Sequence, residues 1–145
     1  MARIFNARRA SLATLAGLCL MTAVPGRGQD PKVSEARRAA LDWLMLSDAG
    51  DGAASWRAAS KRFQSAMTVE KWAEGLQSAR GPYGVVEQRT LVSSRASKEF
   101  PGLPEGDYAV LVFMTAFANK RGVSETLSME READGTWRVV GYSIR

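Results

Sequence analysis

The residue types that most often carry out chemistry are scarce in this chain. Its 145 residues include no histidine, and the one cysteine, Cys19, falls in an apolar N-terminal stretch. Beyond that stretch, histidine-based triads, cysteine nucleophiles, disulfides, CxxC redox pairs and the usual zinc sites are excluded. Carboxylates, guanidiniums and phenols remain. Glu125 stands out among them, because Val123, Glu125, Leu127 and Met129 alternate with Ser124, Thr126, Ser128 and Glu130. A strand with that alternation places the Glu125 carboxylate on its apolar face. Arg89 shares a parity with Val85, Glu87 and Leu91 and is directed toward the core side in the same way. An Arg89 and Glu125 pair at the base of an apolar pocket could grip a ligand carboxylate, or leave Glu125 as a base with a raised pKa. The same pair could equally be a structural salt bridge between strands or toward a helix.

Around this pair Trp56, Tyr108, Phe113 and Tyr142 complete a set of ligand-binding candidates, although the helical spacing of the tryptophans also suits ordinary core packing. No residue is assigned a catalytic role. No P-loop, dinucleotide fingerprint or nucleophile elbow is present, and no cofactor is implied. The run Asp48-Ala49-Gly50-Asp51-Gly52 lacks the carboxylate series of a calcium loop, with Ala59 where the closing Glu would stand, so it reads as an interhelical turn and no metal ligand is assigned.

The elements that must position these residues begin after a leader. Arg3, Arg8 and Arg9 precede an uncharged, mostly apolar stretch from Ala10 to Val24 and the turn-prone run Pro25-Gly26-Arg27-Gly28. This is the pattern of a secretory signal peptide over residues 1–28, too short to span a bilayer comfortably, followed by one domain over 29–145. The protein is expected to be periplasmic or secreted, meeting a membrane only transiently through its leader. The leader also explains most of the formal charge of +5, since sixteen basic residues face fifteen acidic ones after it. Nucleic acid is therefore not an expected partner.

Three helices are expected next. The first runs from an N-cap at Ser34 to Gly50, the second carries Trp56, Ala59, Phe63 and Met67 on one face, and the third starts at Thr68 with a stripe of Val69, Trp72, Leu76 and Ala79. Past Gly84 the period becomes extended, with strands over 85–94, 107–118, 123–132 and 136–144 joined by short Pro/Gly, Lys-Arg-Gly and Asp-Gly turns. Short connections force antiparallel pairing. The fold class is α+β, three N-terminal helices packed on a curved four-stranded antiparallel meander sheet. The strand over 107–118 is apolar on both parities, so the second sheet face also needs cover, from an enclosed apolar pocket or a homodimer contact.

A recognisable order of signatures runs through the chain: Trp43-Leu44, Asp48-x-Gly50, Ser55-Trp56, Trp72, Arg80-x-Pro82-x-Gly84, then Pro101-Gly102-Leu103-Pro104-Glu105-Gly106-Asp107-Tyr108, Phe113-x-Thr115-x-Phe117, Lys120, Glu125-Thr126 and Gly135-x-Trp137-Arg138-Val139-x-Gly141-Tyr142-x-Ile144. In this combination the sequence resembles the exported bacterial proteins grouped as domain-of-unknown-function family 4019. It departs from that pattern at Gly52, where the family usually carries an aromatic residue. The resemblance implies export, bacterial origin and an NTF2-like or cystatin-like α+β architecture, and no established activity. The expected function is a non-catalytic domain that binds a small apolar or peptide ligand or another envelope protein. The alternatives are an isomerase or hydro-lyase with Glu125 as base and Tyr108 or Tyr142 as hydrogen-bond donor, and a structural homodimer.

Overall fold

The computed structural model describes residues 30–145; the expected leader, with Cys19, lies outside them. Helix α1 (Pro31–Asp48) begins earlier than the spacing predicts. Asp30, not Ser34, is its N-cap, its carboxylate accepting the Lys32 backbone N–H at 2.9 Å, and Pro31 takes the first helical position, where no N–H is needed. The helix stops where Gly50 turns left-handed at φ +72°. Val33, Ala36, Ala40, Trp43, Leu44 and Ser47 form its buried stripe. The two alanines at its centre let α1 lie close along the sheet, where it meets all four strands.

The expected second helix is divided into α2 (Gly52–Ala58) and α3 (Lys61–Ala66). Ala59 and Ser60 between them are extended, because the Ser60 N–H leaves the helix to bond the Val139 carbonyl at 2.9 Å. The Ser60 hydroxyl then accepts from Phe63 N–H and starts α3. Thr68 caps α4 (Val69–Arg80) as its sequence indicates, and a 3-10 turn (Gly81–Tyr83) leads to the sheet. Along α4 the buried residues are Trp72, Leu76 and Arg80; Ala79, expected in that stripe, is exposed.

The departure at Gly52 has a packing reason. A Cβ at that position would lie 2.6 Å from the Ala73 Cβ, so no side chain fits between α2 and α4.

Strands β1 (Val86–Ser97), β2 (Tyr108–Phe117), β3 (Val123–Arg131) and β4 (Trp137–Ile144) form one open antiparallel meander in the order β1-β2-β3-β4. The fold is α+β, with the helices on one sheet face. Ala109, Leu111, Phe113, Thr115 and Phe117 of β2 point under them and are buried. The expected parity of β1 holds for Arg89 and Leu91 only. A register shift between Val86 and Gln88 puts Val86 on the helix side, leaving Glu87 exposed and Val85 72% exposed. Rings fill the space between layers: Trp43 packs on Trp72 and Tyr142, and Phe63 meets Trp72 edge to face, with centroids 4.9–5.7 Å apart. The Trp43 indole donates to the Ser55 carbonyl and that of Trp72 to the Ser55 hydroxyl, so both polar tips are satisfied inside the core.

Candidate functional site

Under the C-terminal ends of α1 and α4, four charged side chains converge. Glu125 is fully buried on β3, opposite Phe113. Its Oε2 accepts from Arg89 Nε at 2.8 Å and from the Thr115 hydroxyl at 2.5 Å. Its Oε1 accepts from Arg80 Nη1 at 2.9 Å and from the Tyr142 hydroxyl at 2.7 Å. Asp48, at the end of α1, closes the cluster from the solvent side. It takes both terminal nitrogens of Arg89 in a bidentate pair at 2.8 Å and also accepts from Arg80 Nη2. The Arg80 guanidinium lies over the Phe117 ring, 5.3 Å from its centroid. Two cations and two anions thus neutralise each other, and six elements (α1, α4 and all four strands) are tied at one point.

Burial acts on these groups in opposite senses. Desolvation alone would lower the Arg89 pKa, but the hydrogen bonds it donates to Asp48 and Glu125, with the charges of those carboxylates, outweigh it and hold the guanidinium above its ordinary value. Desolvation pushes the Tyr142 phenol well up, and the neighbouring Glu125 charge pushes it further. Tyr142 is therefore a neutral donor at any ordinary pH. With four donors on its two oxygens and no exposed surface, Glu125 is a saturated carboxylate. It presents no free lone pair to a substrate, and the chemistry the cluster performs is cohesion between layers.

Of the six candidates read from the sequence, the structure brings Arg89, Glu125 and Tyr142 into contact. Phe113 is sealed in the core behind Glu125. Trp56 lies half-buried in α2, its indole donating to the Met67 carbonyl at 2.9 Å. Tyr108 sits at the opposite end of the sheet, its hydroxyl on the Pro104 carbonyl, beside a groove of about 920 Å³ that Arg62, Leu103 and Glu130 help to line. Asp48, Arg80 and Thr115 belong to the cluster without having been singled out. For the first two the signal was present: Asp48 follows Leu44 by four residues and Arg80 follows Leu76 by four, so each extends a buried stripe by one turn.

Among the described residues no group of three or more histidine, cysteine or acidic side chains is arranged to hold a metal ion. Nor is any of their helices long and apolar enough to cross a membrane.

The molecule is thus an α+β two-layer domain closed at one end by an internal ionic clasp. A family model described as a protein of unknown function, DUF4019, matches residues 39–142, and the chain belongs to that family. The matched span runs from within α1 to Tyr142, and so includes every member of the clasp. A search of the curated proteins finds no match.

Proposed function

We propose that this is an exported bacterial envelope protein whose domain is a non-catalytic module for binding another polypeptide, docked on the sheet face turned away from the helices. Export is supported by the sequence of the leader, basic at Arg3, Arg8 and Arg9 and then uncharged to Val24. Binding is supported by β2. Its second parity is the aliphatic row Val110, Val112, Met114 and Ala116, half-buried except for Met114, which is 42% exposed. Val92, at a register shift of β1, adds an aliphatic side chain 54% exposed. Thr90 and Ser93 on β1 and Ser124, Thr126 and Ser128 on β3 flank the row, opposite it in register, with Gln88 opposite Ala116 and the exposed Arg95 opposite Val110 at its two ends. An apolar centre inside a polar border, rich in hydroxyls and with one cation at its edge, is the composition of a protein interface core and its rim. That row is the observation that carries the proposal.

The test is a photo-crosslinking amino acid placed at Met114, with the same group at Leu41 on the outer side of α1 as control. Adducts from position 114 that are absent from position 41, and lost on Val112→Lys, are expected. An adduct of twice the chain mass would make the partner a second copy. Equal labelling from both positions would end the proposal. The enzyme alternative is tested separately by Glu125→Gln. Survival of the fold together with complementation of a deletion phenotype removes acid/base work by this residue.

A further inference from the structure

The two edges of the open sheet differ in their cover. β4 is met from the side by the segment between α2 and α3, the Ser60 N–H bonding the Val139 carbonyl at 2.9 Å. β1 pairs with β2 alone. Bonds at the ends of β2 fix which way its backbone groups point. Phe117 exchanges bonds with Lys120, and the Asp107 carbonyl accepts from Arg131, both on the β3 side, whereas the Ala118 N–H reaches the Val85 carbonyl. Even-numbered residues of β2 therefore bond β1, and their partners there are Gln88, Thr90, Ser93, Arg95 and Ser97. Arg89, Leu91, Ser94 and Ala96 turn their backbone N–H and C=O groups outward, and among the described residues no hydrogen bond reaches those groups. A bare strand edge of this kind is a template for another strand.

The edge is complementary to itself in one register. The register shift at Val92 puts the backbone groups of Leu91 and Ser94, three residues apart, on the same side, where regular alternation would oppose them. A second β1 laid antiparallel, with the twofold axis between Val92 and Ser93, brings Leu91 opposite Ser94 of the other copy and Arg89 opposite its Ala96. All four outward residues then meet outward partners. A slip of one residue in either direction sets every one of them against an inward-facing or unmatched position. The charges agree with this register: the exposed Glu87 falls opposite Lys98, whose side chain is 63% exposed, and Arg95 falls opposite Thr90, so no like charges meet. Val92, 54% exposed, meets its own copy at the axis. Sixteen basic and fifteen acidic residues after the leader leave little net repulsion between two domains.

We infer that β1 is a self-association edge, and that two copies of this chain join β1 to β1 into one continuous antiparallel sheet. The contact lies in the plane of the sheet. It leaves the aliphatic row of β2 uncovered on both copies and does not depend on the polypeptide binding proposed for that face.

The test uses the full chain in a Cys19→Ser background, which has no other thiol. Across the axis Thr90 and Arg95 form a non-hydrogen-bonded pair, with Cα atoms about 4.5 Å apart and within disulfide reach. Within one chain they are separated by roughly 16 Å of extended strand, which no disulfide spans. Thr90→Cys/Arg95→Cys is expected to give a disulfide-linked dimer on mild oxidation, and either substitution alone to give none. Sedimentation of the chain without added cysteines should show a dimer that dissociates on dilution. Ser94→Pro removes an outward N–H from each copy and no bond within the chain, so it should weaken association by about tenfold or more while the far-ultraviolet circular dichroism stays the same. Val112→Lys, on the outward face, should leave the dimer intact. A monomer at every concentration would overturn the inference. So would a dimer indifferent to Ser94→Pro, equal crosslinking by the single cysteines, or a dimer lost on Val112→Lys, which would move the contact to the outward face. If Ser94→Pro fails to fold, the cysteine pattern decides, because Thr90 and Arg95 are exposed and their replacement leaves the core untouched.

Discussion

The two ends of α1 present the same kinds of side chain in opposite states. Lys32 and Asp48 are separated by roughly 24 Å of helix at about 1.5 Å per residue. At Asp48 two guanidiniums and two carboxylates are matched, and the Glu125 oxygens each accept twice. At Lys32 two ammoniums share one carboxylate oxygen, and a buried indole beside them has no acceptor. Burial makes the difference. Arg80 and Arg89 side chains are 8% and 11% exposed, where an unmatched charge is not tolerated, whereas Lys32 and Lys98 are 41% and 63% exposed and water makes up the deficit. The first end is built to hold layers together, and the second leaves its ammoniums largely to water.

The largest expected effect breaks the clasp. Arg80→Met removes one of the two cations on Glu125 and should lower the unfolding free energy by about 3–5 kcal/mol, read from urea denaturation, because a buried carboxylate is left undercompensated. Lys32→Ala at the other end should cost less than about 1 kcal/mol. Comparable losses at the two sites would erase the distinction between them.

Next in size is a test of how tightly the clasp end is packed. Gly52→Ala forces a methyl against Ala73 and should destabilise by about 1–3 kcal/mol, since the backbone of α2 or α4 must move. Adding Ala73→Gly should recover part of that loss despite the roughly 1 kcal/mol that glycine costs within a helix. The coupling between the two positions, measured in a double-mutant cycle, is the quantity to report.

A third comparison makes one substitution at both ends. Trp43→Phe removes one of the two donors on the Ser55 carbonyl, which keeps only the Ala59 N–H, while Trp137→Phe removes a donor that has no partner. The two lose similar ring volume. The first should therefore be more destabilising by about 1 kcal/mol in the same denaturation experiment, and an indole at position 137 that proves the more costly to lose would mean its N–H is already bonded in solution.

Much of this arrangement was legible in the chain, and the particulars show why. The alternation through Val123–Met129 assigned Glu125 to the apolar face, and the Asp134-Gly135 turn fixed β3 against β4; both signals are local and have a period of two. Arg89 was found by the same alternation, but its neighbours Val85 and Glu87 were misplaced, because a register shift is a tertiary accommodation that parity counting does not see. Asp48 was read as part of an interhelical turn and Arg80 was given no role in the site, since a charge at a helix terminus ordinarily faces water; here the opposing charges of Arg89 and Glu125, far off in sequence, draw them inward. The split between α2 and α3 was hidden for a similar reason: it depends on the Ser60 N–H reaching Val139, a long-range bond with no local pattern. The unpaired Trp137 nitrogen left no trace in the sequence at all. Whether an indole finds an acceptor depends on which distant segments pack around it.

The smallest expected effect bears on the open end alone. Hydrogen bonds from Lys98 and Lys32 hold the Asp107 carboxyl at about 2, below its ordinary 3.8. The bond that Lys98 donates to Asp107 also raises the Lys98 pKa. Because the folded pKa of Asp107 lies beneath the unfolded one, the stability it contributes is fully present above the ordinary value, declines as the pH drops below it, and is gone once the pH has passed through the folded value. A ¹³C titration of the Asp107 carboxyl should find its midpoint near the lower value, and Lys98→Ala should move that midpoint upward toward the ordinary one. The clasp gives no such response to Lys98→Ala, since it lies at the far end of α1. A midpoint at the ordinary value in the unsubstituted chain would show that the two ammoniums do not engage Asp107 in solution.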